Sequence, residues 1–438
     1  MINKTAIASV VILGMRASIL ACKFGLVIFI GRYLDLASLG LYGLAAGAVS
    51  LGPVVIGMGM VHLIMRDAVT RSLDQVTVDL RHYWCFAASV YGLLIICAVL
   101  ITIMFDASEL WALVIVIMLF EHFGSDVFLL LSNLERPLLA NVSAFLRGAA
   151  WILVYVPIAI WEPALRSNAI LFEFWLGGTV SAFFLFAWGS RSWPWKAAFA
   201  LPFKVAWIAT TIRQAFVIYV SDLSFVGSQY LDRYLVTLFL GLRLAGVYFV
   251  YWSVANAVST FVSIVVFQNQ RPRLIKAHHS GGMPAHRLLT ARFMKTAISA
   301  TALFGAAVGC VFYIALPFLK QPASIADYVP AFWLIMAGLA MRNVADFGAM
   351  ALFSSHRDRM TTLTNLAAVV ALTLAQLLLL PFAGLYGAGA AILLAFSAVT
   401  LWRYKLLFGR SVGMRPSQSL KITWRRTAAA RGTNRSIP

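Results

Sequence analysis

The run from Thr5 to Gly31 is apolar over more than the ~20 residues that cross a bilayer, yet Arg16 and Lys23 lie near its middle. A cation at that depth costs ~3 kcal/mol on insertion scales, so both side chains must face protein or water rather than lipid. They are two helical turns apart and share one face. A chain that begins this way has to fold into a bundle with a charged interior. Further apolar runs follow, and we read twelve spans at about 6–31, 39–64, 83–105, 110–132, 141–160, 168–189, 213–240, 244–267, 293–318, 328–353, 361–382 and 385–407. With 61% hydrophobic and 12% charged residues, the composition excludes a soluble globule, whose charged fraction is about 25%. The expected fold class is an all-α polytopic membrane protein. Cys22, Cys85, Cys97 and Cys310 all fall within apolar helices and are expected to be small buried side chains, with spacing for neither zinc nor a disulfide framework. The first run is too long and too charged for a cleavable signal peptide, so it is expected to remain as the first span.

After the first helix comes Leu34-x-Leu36-x3-Gly40-x-Tyr42, and the pattern returns at an offset of 206 as Leu240-x-Leu242-x3-Gly246-x-Tyr248. Six spans separate the copies, so the halves share one orientation and an axis along the membrane normal would relate them, as in transporters built from parallel repeats. Under that offset Arg16 corresponds to Asp222 and Lys23 to Gln229. A second echo pairs His122 and Asp126 with Arg342 and Asp346; each is a base–acid couple four apart on a helix face. The resulting domains are an N-terminal six-helix lobe over 1–190, a linker over 191–212, a C-terminal six-helix lobe over 213–408 and a basic tail over 409–438.

Lys and Arg alone set the orientation. Of 35 basic residues, 26 fall on the side that holds both termini, four on the other (Arg32, Arg166, Arg243 and Lys320), and five within spans. Both termini are therefore expected on the cytoplasmic side of a multi-pass protein. The short outer loops leave no room for a catalytic or receptor domain there. The tail carries seven basic residues and no acidic one, which suits anionic lipid headgroups better than nucleic acid, and disorder in solution.

Each interior charge also has a structural reading. Arg342–Asp346 and His122–Asp126 can be self-neutralising pairs, Arg147 can snorkel to the cytoplasmic boundary, and Arg16 can pair with Asp222. Glycines and prolines inside spans (Pro53, Gly57, Gly59, Pro157 and Gly227) suit helices that bend.

On these residues the chain resembles the polysaccharide-transporter branch of the multidrug/oligosaccharidyl-lipid/polysaccharide (MOP) flippase superfamily, and more closely its Wzx-type O-antigen and exopolysaccharide flippases. The resemblance covers roughly residues 1–408. It rests on the basic first helix, the Gly40-x-Tyr42 turn, Gly57-Met58-Gly59 before Arg66, and Asp232-Arg233 followed by Gly246-x-Tyr248. It implies two six-helix lobes in a MATE-like V, working by alternating access on an undecaprenyl-diphosphate-linked oligosaccharide at the bacterial inner membrane. Polymerase and glycosyltransferases of the same pathway are the implied protein partners. Cavities in this family are typically cationic; here Glu121, Asp126, Asp222 and Asp346 predict one of mixed sign.

A lipid-linked diphosphate needs a path on which its head leaves lipid while its tail stays there, and a lateral opening with Arg16 and Lys23 inside would provide it. Arg suits phosphate through bidentate hydrogen bonds and Lys as a point charge. The expected substrate contacts are Arg16, Lys23, Arg342 and Arg147. The expected coupling carboxylates are Asp222, Asp346, Glu121 and Asp126, with a proton or sodium ion. No catalytic residue, metal or cofactor is expected. Competing readings are a MATE-type cation-coupled drug exporter, which would want an acidic cavity; a membrane enzyme of polysaccharide assembly, which would want a large loop with clustered carboxylates; and a non-transporting scaffold, for which interior charges are needless cost.

Overall fold

The computed structural model describes residues 4–68, 70–105, 109–318 and 325–409; most of the basic tail lies outside them. Helices follow one another as α1 (Lys4–Tyr33), α2 (Leu36–Gly57), α3 (Met60–Ala68), α4 (Leu73–Phe105), α5 (Leu110–Asn133), α6 (Pro137–Phe145), α7 (Trp151–Trp161), α8 (Asn168–Gly189), α9 (Trp195–Ala200), α10 (Val205–Val262), α11 (Gln268–Ala315), α12 (Val329–Ser354) and α13 (Asp358–Phe408). A π turn, Leu146–Ala150, joins α6 to α7 in one crossing, and a second, Ser263–Phe267, joins α10 to α11.

The longest helices fold back on themselves at glycines with positive φ: Gly241 in α10, Gly282 in α11 and Gly384 in α13. In a straight helix Asp232 and Tyr248 would stand ~24 Å apart, yet the Tyr248 hydroxyl donates to the Asp232 carboxylate. His278 and His286 would be ~12 Å apart, and their ring centroids are 5.7 Å apart. Each reversal sits where only glycine adopts the required backbone without strain. With them the described helices make the twelve crossings of the sequence reading: α10 and α11 supply three, α13 two. The predicted second span, 39–64, is broken. Met58 (φ 47°) and Gly59 (φ 73°) end α2 and redirect the chain into α3. Asp35 caps the other end of α2, accepting from the Ser38 N–H at 2.6 Å.

The 206-residue duplication appears as reciprocal packing. A Cβ on Gly40 would lie 2.3 Å from the Leu242 carbonyl oxygen, and one on Gly246 would lie 1.9 Å from the Leu36 carbonyl oxygen. Gly40 and Gly246 are repeat equivalents, and so are Leu36 and Leu242. Residue 43 also meets its own equivalent, since a Cβ on Gly43 would touch the Phe249 ring at 2.8 Å. Two lobes thus meet about a pseudo-twofold axis that passes near Gly43 and Phe249. The linker after α8 is bound to the N-terminal lobe. Trp193 and Trp195 stack with Trp84 in series, and buried Arg81 donates to the carbonyls of Ala198, Leu201 and Pro202 at 2.8, 2.6 and 3.2 Å.

The cysteines depart from expectation. Cys97 and Cys310 are exposed and Cys22 and Cys85 half-buried. An apolar residue in a spanning helix can face the hydrocarbon as well as the core, so apolar surroundings in sequence do not imply burial in protein.

At the polar end of the C-terminal lobe, the fully buried His286 ring shares a hydrogen bond with Ser354 at 2.8 Å. Burial first, then the neighbouring His278 and Arg357, push its pKa down to about 4. The unfolded imidazole takes up a proton near 6.5, so this group's contribution to stability is complete above pH 6.5 and declines as pH falls towards 4. The detergent-solubilised protein is expected to melt at lower temperature at pH 5 than at pH 7.5, and His286→Gln to shrink that difference. An unchanged difference in the variant would refute the assignment.

Candidate functional site

Between the lobes lies a cavity of about 770 Å³, walled by α1, α2, α5, the π turn at Arg147, α8, both arms of α10, and Val308 and Val311 of α11. Its ionisable lining residues include Lys23, Glu121, Arg147 and Arg233. Lys23 projects from the middle of α1, is exposed to the cavity, and has no hydrogen-bond or ion-pair partner among the described residues.

Arg147 does not snorkel. The π turn adds a residue to the helical register, a feature often found at functional sites, and the side chain reaches across to α5. There its guanidinium pairs with the Glu121 carboxylate and donates to the Glu121 carbonyl at 3.2 Å. Gly124 admits it, since a Cβ there would lie 2.8 Å from the Arg147 Cδ. The other Glu121 oxygen accepts from the Trp175 indole at 3.0 Å. Glu121, expected as a coupling carboxylate, is therefore the bound counter-ion of Arg147.

Arg233 was legible only as part of a motif, and the structure makes it the most enclosed cation of the cavity, 3% exposed. Its guanidinium carbon lies 4.0 Å from the Trp252 ring centre, 4.7 Å from Tyr230 and 4.9 Å from Phe249, contacts worth ~0.5–2 kcal/mol each. One nitrogen donates to the Gly43 carbonyl at 3.1 Å, and the buried Nε has no hydrogen-bond partner. No carboxylate comes within ion-pair distance of this guanidinium among the described residues. The preceding residue, Asp232, accepts from Tyr248 and from the Arg233 backbone N–H, and its charge acts on the Arg233 guanidinium from beyond ion-pair distance.

The remaining expected site residues do not line this cavity. Arg16 donates from Nε to Asn141 Oδ1 at 3.0 Å, and Asp222 pairs with His62 at 2.7 Å. The Arg16–Asp222 pair does not form. Asp126 is enclosed in the N-terminal lobe, accepting from the Trp84 indole at 3.1 Å and lying 3.6 Å from His122, whose ring is held by Tyr83 and Tyr91. Arg342, expected to contact substrate, is buried and turned to Asp346 at 3.6 Å; Asp346 also faces Arg403 at 4.0 Å, and Arg403 is fixed by Thr364 and Asn365. Three of the four carboxylates expected in the cavity are thus elsewhere. Of the acidic groups behind the predicted mixed sign only Glu121 lines the cavity, and it is matched by Arg147, so that neither Lys23 nor Arg233 has a carboxylate within ion-pair distance among the described residues.

The two seams between the lobes differ. Where α2 and α3 face the first arm of α10, His62 bonds Asp222 and a Cβ on Gly59 would come within 3.1 Å of the Tyr219 backbone nitrogen. Where α1 faces the second arm of α10, Phe24, Val27 and Ile28 stand beside Val250 and Val254. Nearer the N-terminus no hydrogen bond or ion pair joins α1 to that arm among the described residues, and Val10, Leu13 and Val265 are exposed. The cavity therefore has one closed flank and one loose, apolar flank.

No protein-family model matches the chain, and no curated protein matches it. Solved structures do. An inward-facing multidrug resistance MATE family transporter of the MOP superfamily superposes with a TM-score of 0.68 at 13% identity, over 89% of this chain and 94% of that one. The lipid II flippase MurJ, in an inward closed conformation, gives 0.68 at 12% identity over 98% and 94%. A MOP superfamily transporter from Pyrococcus furiosus, described by the reverse polarity of its binding pocket, gives 0.52 at 10% identity over 90% and 95%. The chain has the two-lobed helical fold of this MATE transporter and of MurJ.

Proposed function

We propose that this protein is a flippase that carries an undecaprenyl-diphosphate-linked oligosaccharide across the bacterial inner membrane for polysaccharide assembly. The observation that carries the reading is the charge of the cavity: neither Lys23 nor Arg233 has a carboxylate within ion-pair distance among the described residues, and the only carboxylate among the described lining residues is held by Arg147. A drug exporter for cations would need the opposite balance. The loose apolar seam beside α1 gives a polyprenyl tail somewhere to remain while its diphosphate enters, and a MurJ structure shares the fold. Lys23 and Arg233 are the proposed diphosphate contacts, with Arg147 lending a hydrogen-bonding edge. Arg16, next to the cavity-lining Ala17 and bonded to Asn141 of α6, would meet the head on entry, and Arg342, turned to Asp346, is given a structural role in this reading.

The distribution of Lys and Arg supports a cytoplasmic location for both termini. The Gly40–Gly246 contact then closes the outer side, and the cavity serves the inner leaflet. Asp222 is the best-placed coupling carboxylate, because its bond to His62 crosses between lobes that must move. Asp126 and Asp346, each enclosed within one lobe, are weaker choices, and a proton suits an aspartate–histidine pair better than sodium. The polymerase and glycosyltransferases remain proposed pathway partners, and the tail a proposed ligand of anionic lipid.

The test is flipping of a labelled undecaprenyl-diphosphate oligosaccharide in proteoliposomes. Lys23→Ala is expected to lower the rate ~10- to 100-fold, the worth of one charge-assisted contact of 1.5–3 kcal/mol, at unchanged protein yield. Asp222→Asn is expected to lose the response to a pH gradient. A wild-type protein that exports cationic dyes and ignores the lipid would replace this reading by the drug exporter.

A further inference from the structure

The α2 helix presents Gly40, Gly43 and Gly47 towards the C-terminal lobe, and without side chains its backbone carbonyls are open to donors from outside the helix. Two successive residues of α10 use them. Arg233 donates to the Gly43 carbonyl at 3.1 Å, and the Tyr234 hydroxyl donates to the Leu44 carbonyl at 3.1 Å. A Cβ on Gly47 would press on the Tyr234 hydroxyl at 3.2 Å. These bonds cross from lobe to lobe at the end of the cavity nearest the Gly40–Gly246 contact. Of the two donors, only Arg233 also lines the cavity. Its guanidinium carbon lies 4.0 Å from the Trp252 ring centre, its Nε is buried without a hydrogen-bond partner, and its direct contacts are a carbonyl dipole and aromatic rings, with Asp232 acting on its charge only beyond ion-pair distance.

We propose that Arg233 is a displaceable latch, through which arrival of the cargo's anionic head frees the two lobes to separate on the Gly40–Gly246 side. A neutral carbonyl is a weaker acceptor for a guanidinium than a phosphate oxygen pair, which takes two parallel N–H bonds. A diphosphate in the cavity therefore competes with the Gly43 carbonyl and uses the idle Nε. The surrounding aromatic rings hold the guanidinium in place while its bonds change partner. Loss of the Gly43 bond removes the one cavity-facing hydrogen bond between the lobes among the described residues and leaves the bonds away from the cavity, Tyr234 to Leu44, Arg32 to the Phe318 carbonyl at 3.3 Å and His62 to Asp222, to hold the closed state. The inference rests on the anionic diphosphate cargo proposed above and adds how its binding is converted into opening.

The experiment measures the distance between spin labels at the exposed Ala164 and Ala326, on short turns between the long helices of each lobe, by double electron–electron resonance. The full chain is used, with its four cysteines replaced by serine and farnesyl diphosphate as the probe. The wild-type background is expected to show a short distance that lengthens with farnesyl diphosphate and not with farnesol. Arg233→Gln is expected to show the long distance without probe and no further change. Tyr234→Phe is expected to loosen the closed state and still respond to the probe. If Arg233→Gln does not accumulate, Arg233→Lys gives the same comparison. Lysine still reaches the carbonyl but offers a point charge, so closure should persist and the response should need about tenfold more probe. A Gln variant that stays closed and responds like wild type, or a Lys variant with an unchanged dose response, overturns the latch. A wild-type protein deaf to farnesyl diphosphate beside an open Gln variant refutes the diphosphate cargo and keeps the inter-lobe bond as the closing device.

Discussion

Gly246→Ala is expected to abolish transport while leaving a folded, membrane-inserted protein. The added methyl would sit 1.9 Å from the Leu36 carbonyl oxygen and 3.3 Å from the Gly40 nitrogen. Both are backbone atoms of a helix, and neither can swing aside as a side chain would. Overpacking a well-fitted contact costs ~1–3 kcal/mol even where neighbours can shift, and here relief comes only by parting the lobes. A bias of that size moves a two-state equilibrium by about five- to 150-fold, away from the closed form in which α2 and α10 touch. Gly40→Ala, at 2.3 Å from the Leu242 carbonyl oxygen, should do nearly the same. Gly43→Ala supplies the contrast: its methyl would meet the Phe249 ring at 2.8 Å, a side chain that can yield. The measurement is the inter-lobe distance with the flipping rate. Wild-type closure in Gly246→Ala would mean that the contact is incidental.

Arg147→Ala is expected to reduce the amount of folded protein severely, in contrast to Lys23→Ala. Arg147 is the counter-ion of Glu121, and the two side chains are only 18% and 12% exposed. Removing the cation leaves a largely buried carboxylate with the Trp175 indole as its remaining hydrogen-bond donor. Breaking a buried pair in this way costs ~3–5 kcal/mol, a large part of the margin of an ordinary fold. The double variant Glu121→Gln with Arg147→Gln keeps the net charge and the shape of the cavity and should recover abundance. It should also retain measurable flipping, because Lys23 and Arg233 are untouched. Detergent-extracted yield and melting temperature decide the first claim, and proteoliposome flipping the second. Normal abundance of Arg147→Ala would show that water, not Arg147, solvates Glu121.

Twelve spans, the duplication and the presence of interior cations follow from sequence, because each depends on residue type and spacing along one helix. Lys23 belongs in that group: an unpaired lysine midway along an apolar helix has few places to go other than a cavity. The partners of the other charges depend on contacts that cross between helices. Arg147 reaches Glu121 through a π turn, a change of register that leaves no trace in hydrophobic periodicity. Arg233 reaches its aromatic box because α10 reverses at Gly241 and brings Phe249 and Trp252 back over it.

The pairing of Arg16 with Asp222 separates the two kinds of information most sharply. Their equivalence under the repeat is a property of the sequence, and it suggested complementary charges at matched sites. Residues related by a twofold axis touch only where the axis passes, as Gly43 and Phe249 do. Arg16 and Asp222 lie away from it, so each takes a local partner, Asn141 for one and His62 for the other. The sequence alone determined which residues are equivalent, since equivalence is a matter of order along the chain. Only the tertiary structure decided which of them meet, because contact depends on distance from an axis that exists only once both lobes have folded together.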